Sequence, residues 1–123
     1  MKRLVLLVLI IFQFSVHADL MPSGSLNCKP TDKNPLKCLA CSIYFEARGE
    51  SLQSQVDVAQ TMITRVLDDY FPDTMCKVVW QASQFSWTRD GKDDYVPNGE
   101  VLRKVIKAVN IAVNAGPNGF DHY

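Results

Sequence analysis

The sequence predicts a single, mainly helical α+β domain with a small β element. Three observations carry that expectation. Three stretches place apolar residues at helical spacing, one short stretch alternates polar and aromatic residues, and 123 residues leave room for one modest core.

The first helical stripe is Leu36, Leu39, Ala40, Ile43, Tyr44 and Ala47, a spacing that buries one face. Gly49 is expected to end that helix. A second helix is expected over residues 52–70, with Leu52, Val56, Ala59, Ile63, Val66 and Tyr70 on its apolar face and Ser51 as N-cap. Val58 and Met62 widen this face, which marks the second helix as the central one, and Phe71-Pro72 is expected to stop it. Residues 77–80 fit a helical turn or a strand. Gln84-Phe85-Ser86-Trp87 alternates, as a short half-buried strand does. Residues 89–92 read as a turn and 93–99 as loop. The last helix covers residues 100–114, with Val101, Val105, Ala108, Val109 and Ala112 turned inward, and Gly116-Pro117 closes it.

The N-terminus reads differently. Lys2 and Arg3 precede an apolar run over residues 4–12, and small residues follow at Ser15-Val16-His17-Ala18. That order describes a signal peptide over residues 1–18 with cleavage after Ala18. The run falls short of the roughly 20 residues a spanning helix needs, so no permanent membrane span is expected. The expected location is secreted or periplasmic. Residues 19–35 contain Pro22, Gly24, Pro30 and Pro35 without periodicity and read as an irregular leader pinned by Cys28, which leaves residues 36–123 as the functional domain.

Cleavage would remove Lys2 and Arg3 from 13 basic residues and nothing from 13 acidic ones, leaving 11 against 13. A chain without basic excess gives no footing for nucleic acid. Cys28, Cys38, Cys41 and Cys76 all follow the leader. In an oxidising compartment four cysteines imply one or two disulfides, with three full pairings open. A zinc site would need a second close cysteine pair, and Cys28 and Cys76 are far apart in sequence. No metal and no cofactor is expected.

Beyond the leader the only histidine is His122, next to the last residue. A nucleophilic triad would have to use it, and a chain end is a poor place to hold a base. Carboxylate chemistry remains. Glu46 lies beside the apolar stripe at the end of the first helix, where apolar surroundings would raise its pKa. On spacing alone, a solvated helix-end glutamate paired with Arg48 accounts for the position better, since most helix-end acids have no catalytic role. Glu50, just before a helix, is accounted for by the helix dipole. Gln84, Phe85 and Trp87 would suit either a sugar-binding groove or edge-strand packing.

The motifs taken together carry a resemblance. Ile43-Tyr44-Phe45-Glu46-Ala47-Arg48-Gly49-Glu50 is followed by Gln55-Val56-Asp57-Val58-Ala59-Gln60 and by Arg65-Val66. Phe71-Pro72-Asp73-Thr74-Met75-Cys76-Lys77-Val78-Val79, Gln84-Phe85-Ser86-Trp87-Thr88 and Asp90-Gly91-Lys92 come next. This series resembles the SleB-type cell-wall hydrolases from about Cys38 to the end of the chain. The resemblance implies a lysozyme-like domain that cuts the β-1,4 bond between N-acetylmuramic acid and N-acetylglucosamine in peptidoglycan strands. It implies Glu46 as the catalytic acid of a lytic transglycosylase, with Tyr44, Glu50, Gln84, Ser86 and Trp87 as substrate-binding or supporting residues. A muramidase would need a second carboxylate, which Asp90, Asp93 or Asp94 could supply. A monomer is expected.

Three departures from the family pattern stand out. Thr64 occupies a position where relatives often have Asn, which is expected to alter a buried hydrogen bond. Arg89 stands where relatives often have a cysteine, so Cys76 needs another partner, Cys38 before Cys41 or Cys28. The chain stops at Tyr123 where relatives commonly continue, which implies a shortened groove wall. The first two changes touch the fold's detail; Arg89 and the short end motivate a second reading, a non-catalytic cell-wall-binding or accessory protein that keeps the fold.

Overall fold

The computed structural model describes residues 24–81 and 94–115. In chain order these form β1 (Leu26–Cys28), α1 (Pro35–Ala47), α2 (Leu52–Leu67), α3 (Met75–Val79), β2 (Asp94–Val96) and α4 (Glu100–Ala115). The class is the expected mainly helical α+β. The predicted signal peptide, the alternating stretch 84–87 and the tail beyond residue 115 lie outside the described residues.

Helix α1 begins where its sequence allows. The Asn34 side chain accepts hydrogen bonds from the backbone N–H groups of Leu36 and Lys37 at 3.1 and 3.3 Å, and Pro35 occupies a first-turn position that needs no donor. Eight of its 13 residues are buried, including the unbroken run from Cys38 to Tyr44. Helices α2, α3 and α4 and strand β1 all pack on it. The central helix is therefore α1, not the second helix as the wide stripe suggested. Small side chains at Cys38, Cys41 and Ser42 are buried on faces that the predicted apolar stripe does not mark. Ser42 satisfies its buried hydroxyl by donating to the Leu39 carbonyl at 2.8 Å.

Both cysteines of α1 are bonded outward, Cys41 to Cys28 in β1 and Cys38 to Cys76 in α3. The pairing of Cys76 with Cys38 is the one placed first from sequence. All four described cysteines are thus occupied, which removes a four-cysteine zinc or dithiol role in this state.

Helix α2 starts at the expected Ser51 cap, whose hydroxyl accepts from the Ser54 N–H at 3.1 Å. It stops at Leu67, earlier than residue 70. Asp68 adopts an extended conformation and its side chain accepts from the Tyr70 N–H at 2.9 Å, so a local turn competes with another helical turn. Tyr70 consequently projects into solvent at 93% exposure and is not part of the buried face. Residues 75–79 resolve the ambiguous segment as helix, capped by Thr74. In α4 the buried face runs through Leu102, Val105, Ala108, Val109 and Ala112, while Val101 is exposed.

The sheet has two antiparallel strands with Leu26 opposite Val96, Asn27 opposite Tyr95 and Cys28 opposite Asp94. It occupies segments read from sequence as leader and loop. Three-residue strands are too short to show a period, although Leu26, Cys28 and Val96 are buried.

Candidate active site

The last turn of α1 carries Tyr44, Phe45 and Glu46 into the link with α2. Tyr44 is buried at 8% exposure, and Phe45 is half-buried against the core. Their rings meet edge to face at 5.1 Å. The Arg48 guanidinium lies over the Tyr44 ring, 5.1 Å from its centroid. That cation–π contact takes Arg48 away from the ion pair with Glu46 considered from sequence. Among the described residues Glu46 forms no salt bridge.

Glu46 is itself exposed, so its carboxylate is accessible from solvent. Burial of one flank nevertheless pushes its pKa above the ordinary glutamate value, since lost water penalises the charged form. An accessible carboxyl with a raised pKa and no counter-cation among the described residues is suited to hold a proton and deliver it.

The link beyond it is pinned from both sides. The Glu50 N–H donates to the Ala47 carbonyl at 3.0 Å. Lys104 on α4 donates its Nζ to the Glu50 carbonyl. Glu50 itself is exposed. From α2, fully buried Gln55 donates Nε2 to the Ala47 carbonyl at 3.0 Å and to that of Arg48 at 3.4 Å. These bonds serve the carbonyls that a helix end leaves without intrahelical partners. Gly49 plays a smaller part than expected, because its φ is not left-handed. The turn is held by Glu50 and Gln55, not by a glycine cap.

Gln55, quoted only within a motif, and Lys104 were both absent from the site residues expected from sequence. Gln55 had a readable signal, a polar residue between Leu52 and Ala59 on the apolar face of its helix. Lys104 had none, since its partner lies 54 positions away and is a main-chain atom.

The structure thus brings together Tyr44, Glu46 and Glu50 on one turn and its exit. Gln84, Ser86 and Trp87 lie outside the described residues, as do Asp90 and Asp93. Asp94 belongs to β2 instead of a loop and faces Cys28 in the register. Thr64 donates to the Gln60 carbonyl of its own helix at 2.8 Å, so it meets its hydrogen-bonding need locally. A groove of about 1000 Å³ opens elsewhere, lined by Pro35, Ile63, Leu67, Met75 and Trp80 among others. Pro35 and Glu46 are at opposite ends of α1, roughly 17 Å apart along the axis, so this groove is not the Glu46 site. Among the described residues no group of three or more His, Cys, Asp or Glu could hold a metal ion. Nor is any described helix long and apolar enough to cross a membrane.

A helical domain with an accessible glutamate of raised pKa at a helix end is the kind of framework on which glycosidases are built. The cell wall hydrolase family profile matches residues 49–123, more than half of the sequence, and the chain belongs to that family, whose domain is lysozyme-like. Glu46 lies three positions ahead of the matched span. Similar proteins include the spore cortex-lytic enzyme of Bacillus subtilis, 31% identical over 90 residues, or 73% of this chain and 28% of that protein. That of Oceanobacillus iheyensis is 33% identical over 78 residues, covering 63% and 28% of the two chains. That of Bacillus cereus is 32% identical over 78 residues, covering 63% and 30%. The chain therefore spans under a third of the length of these relatives. No solved structure matches it significantly.

Proposed function

We propose that this chain is a peptidoglycan-cleaving lytic transglycosylase in which Glu46 is the single general acid and base. The observation that carries the reading is the accessible Glu46 carboxyl, desolvated on one flank and without a salt bridge among the described residues. Protonated Glu46 gives its proton to the glycosidic oxygen as the bond from that oxygen to C1 of N-acetylmuramic acid breaks. The resulting carboxylate then takes the proton of the same sugar's 6-hydroxyl while O6 bonds to C1. The products are a free 4-hydroxyl and a 1,6-anhydro ring, no water is consumed, and Glu46 ends protonated as it began. One carboxyl serves both halves of the reaction, whereas a hydrolase would need a second carboxylate at a set separation.

Tyr44, Glu50, Gln84, Ser86 and Trp87 are proposed to line or support a separate substrate groove beside Glu46. Residues 36–123 are the working domain in this reading. Export after cleavage at Ala18 would put it where its substrate lies, and the two disulfides fit an oxidising compartment. The protein is proposed to act as a monomer. Incubation with purified peptidoglycan and mass spectrometry of the fragments tests the activity. Anhydro-ended fragments support it, reducing ends point to a muramidase, and binding without cleavage points to an accessory wall-binding protein.

A further inference from the structure

We infer that Gln55 is a positioning residue that fixes the helix turn bearing Glu46, an inference that rests on the catalytic reading above. Its side chain is fully buried. Two main-chain carbonyls, of Ala47 and Arg48, face one end of the amide at 3.0 and 3.4 Å. Carbonyls accept and do not donate, so the NH₂ group must be the end that faces them. The other end, Oε1, is then buried with no hydrogen-bond partner among the described residues.

That arrangement is a poor way to gain stability. A buried acceptor left unpaired is costly, and replacing it by an apolar group of the same shape is close to neutral. The Ala47 carbonyl also keeps a second donor, the Glu50 N–H at 3.0 Å. Methionine at position 55 would fill similar volume, discard the orphaned oxygen and still pack in the core. What methionine lacks is a directional tie from α2 to the two residues that follow Glu46. The amide contributes geometry: it sets where α1 ends, and through Ala47 it sets where the Glu46 carboxyl stands. Displacing a catalytic group by about 1 Å is enough to cost on the order of a hundredfold in rate.

The test compares wild type, Gln55→Met and Glu46→Gln on purified peptidoglycan, with hydrogen exchange followed by mass spectrometry. Gln53→Ala serves as control, since Gln53 is exposed and bonds only to Asp57 of its own helix among its described contacts. Gln55→Met is expected to fold, to lower kcat by about ten- to a hundredfold and to leave KM unchanged. Exchange is expected to quicken in the peptide covering residues 44–51 and nowhere else. Unchanged kcat with unchanged exchange would overturn the inference. So would failure of Gln55→Met to fold, because Gln55 would then be a structural necessity. Should Glu46→Gln retain activity, or wild type have none, the catalytic reading is at fault and the positioning role falls with it. Loss of activity in Glu46→Gln alone leaves the catalytic reading standing and removes Gln55 from it.

Discussion

Cys38 and Cys76 join the first turn of the central helix to the short helix α3 across 38 positions of sequence. Cys28 and Cys41 join β1 to the same helix across only 13. A cross-link restricts the unfolded chain more as its loop lengthens, by about 4 kcal/mol for the longer loop and about 3 kcal/mol for the shorter. Replacing Cys38 and Cys76 together by Ala should therefore destabilise the protein more than replacing Cys28 and Cys41. Urea unfolding under non-reducing conditions reads the two losses. A larger loss for the Cys28 and Cys41 pair would contradict the loop argument.

The buried face of α4 makes a sharper distinction than the sequence stripe did. Leu102 is 1% exposed and Val101 is 45% exposed. Leu102→Ala should cost about 2–5 kcal/mol through lost contacts and the cavity left behind. Val101→Ala should stay within about 0.5 kcal/mol. Similar losses for both would restore the face expected from sequence.

The raised pKa of Glu46 has a definite sign for stability. Between the unfolded value and the raised folded value, the folded protein holds more protons than the unfolded one. Stability from this group therefore declines as pH rises through that window, and remains lower above it. Glu46→Gln removes the effect. Relative to wild type, the variant should gain stability on going from pH 4 to pH 7, as denaturant unfolding at both pH values would report. A relative loss over the same interval would show that the carboxylate is stabilised in the fold instead.

The same shift bears on activity. If Glu46 must start protonated, the rate should fall as pH rises through a limb lying above 4.5, the ordinary glutamate value. A pH profile of kcat/KM tests this against Gln55→Met as well as wild type. A limb at the ordinary value, or none at all, would separate Glu46 from the proton transfer.

Periodicity made much of this fold readable. The stripes through Ile43, Val56 and Val105 located α1, α2 and α4, and Ser51 marked a cap that the structure retains. The Cys38 and Cys76 bond came from the family comparison of motifs, not from spacing. Other features escaped because their causes are not local. The dominance of α1 depends on small residues and two disulfides that close its remaining faces. The strands are too short to have a period. Asp68 ended α2 by a side-chain bond that the apolar pattern of Val66 and Tyr70 outweighed on paper. Around Glu46, the carboxylate was legible and Gln55 showed as a polar residue on an apolar face, but the main-chain carbonyls that Gln55 and Lys104 bond left no trace in sequence.

The most direct test is digestion of purified peptidoglycan by wild type and Glu46→Gln, with products identified by mass spectrometry. The account predicts fragments ending in 1,6-anhydromuramic acid with wild type and none above background with a folded Glu46→Gln. Equal cleavage by the variant, or products with only reducing ends, would contradict it.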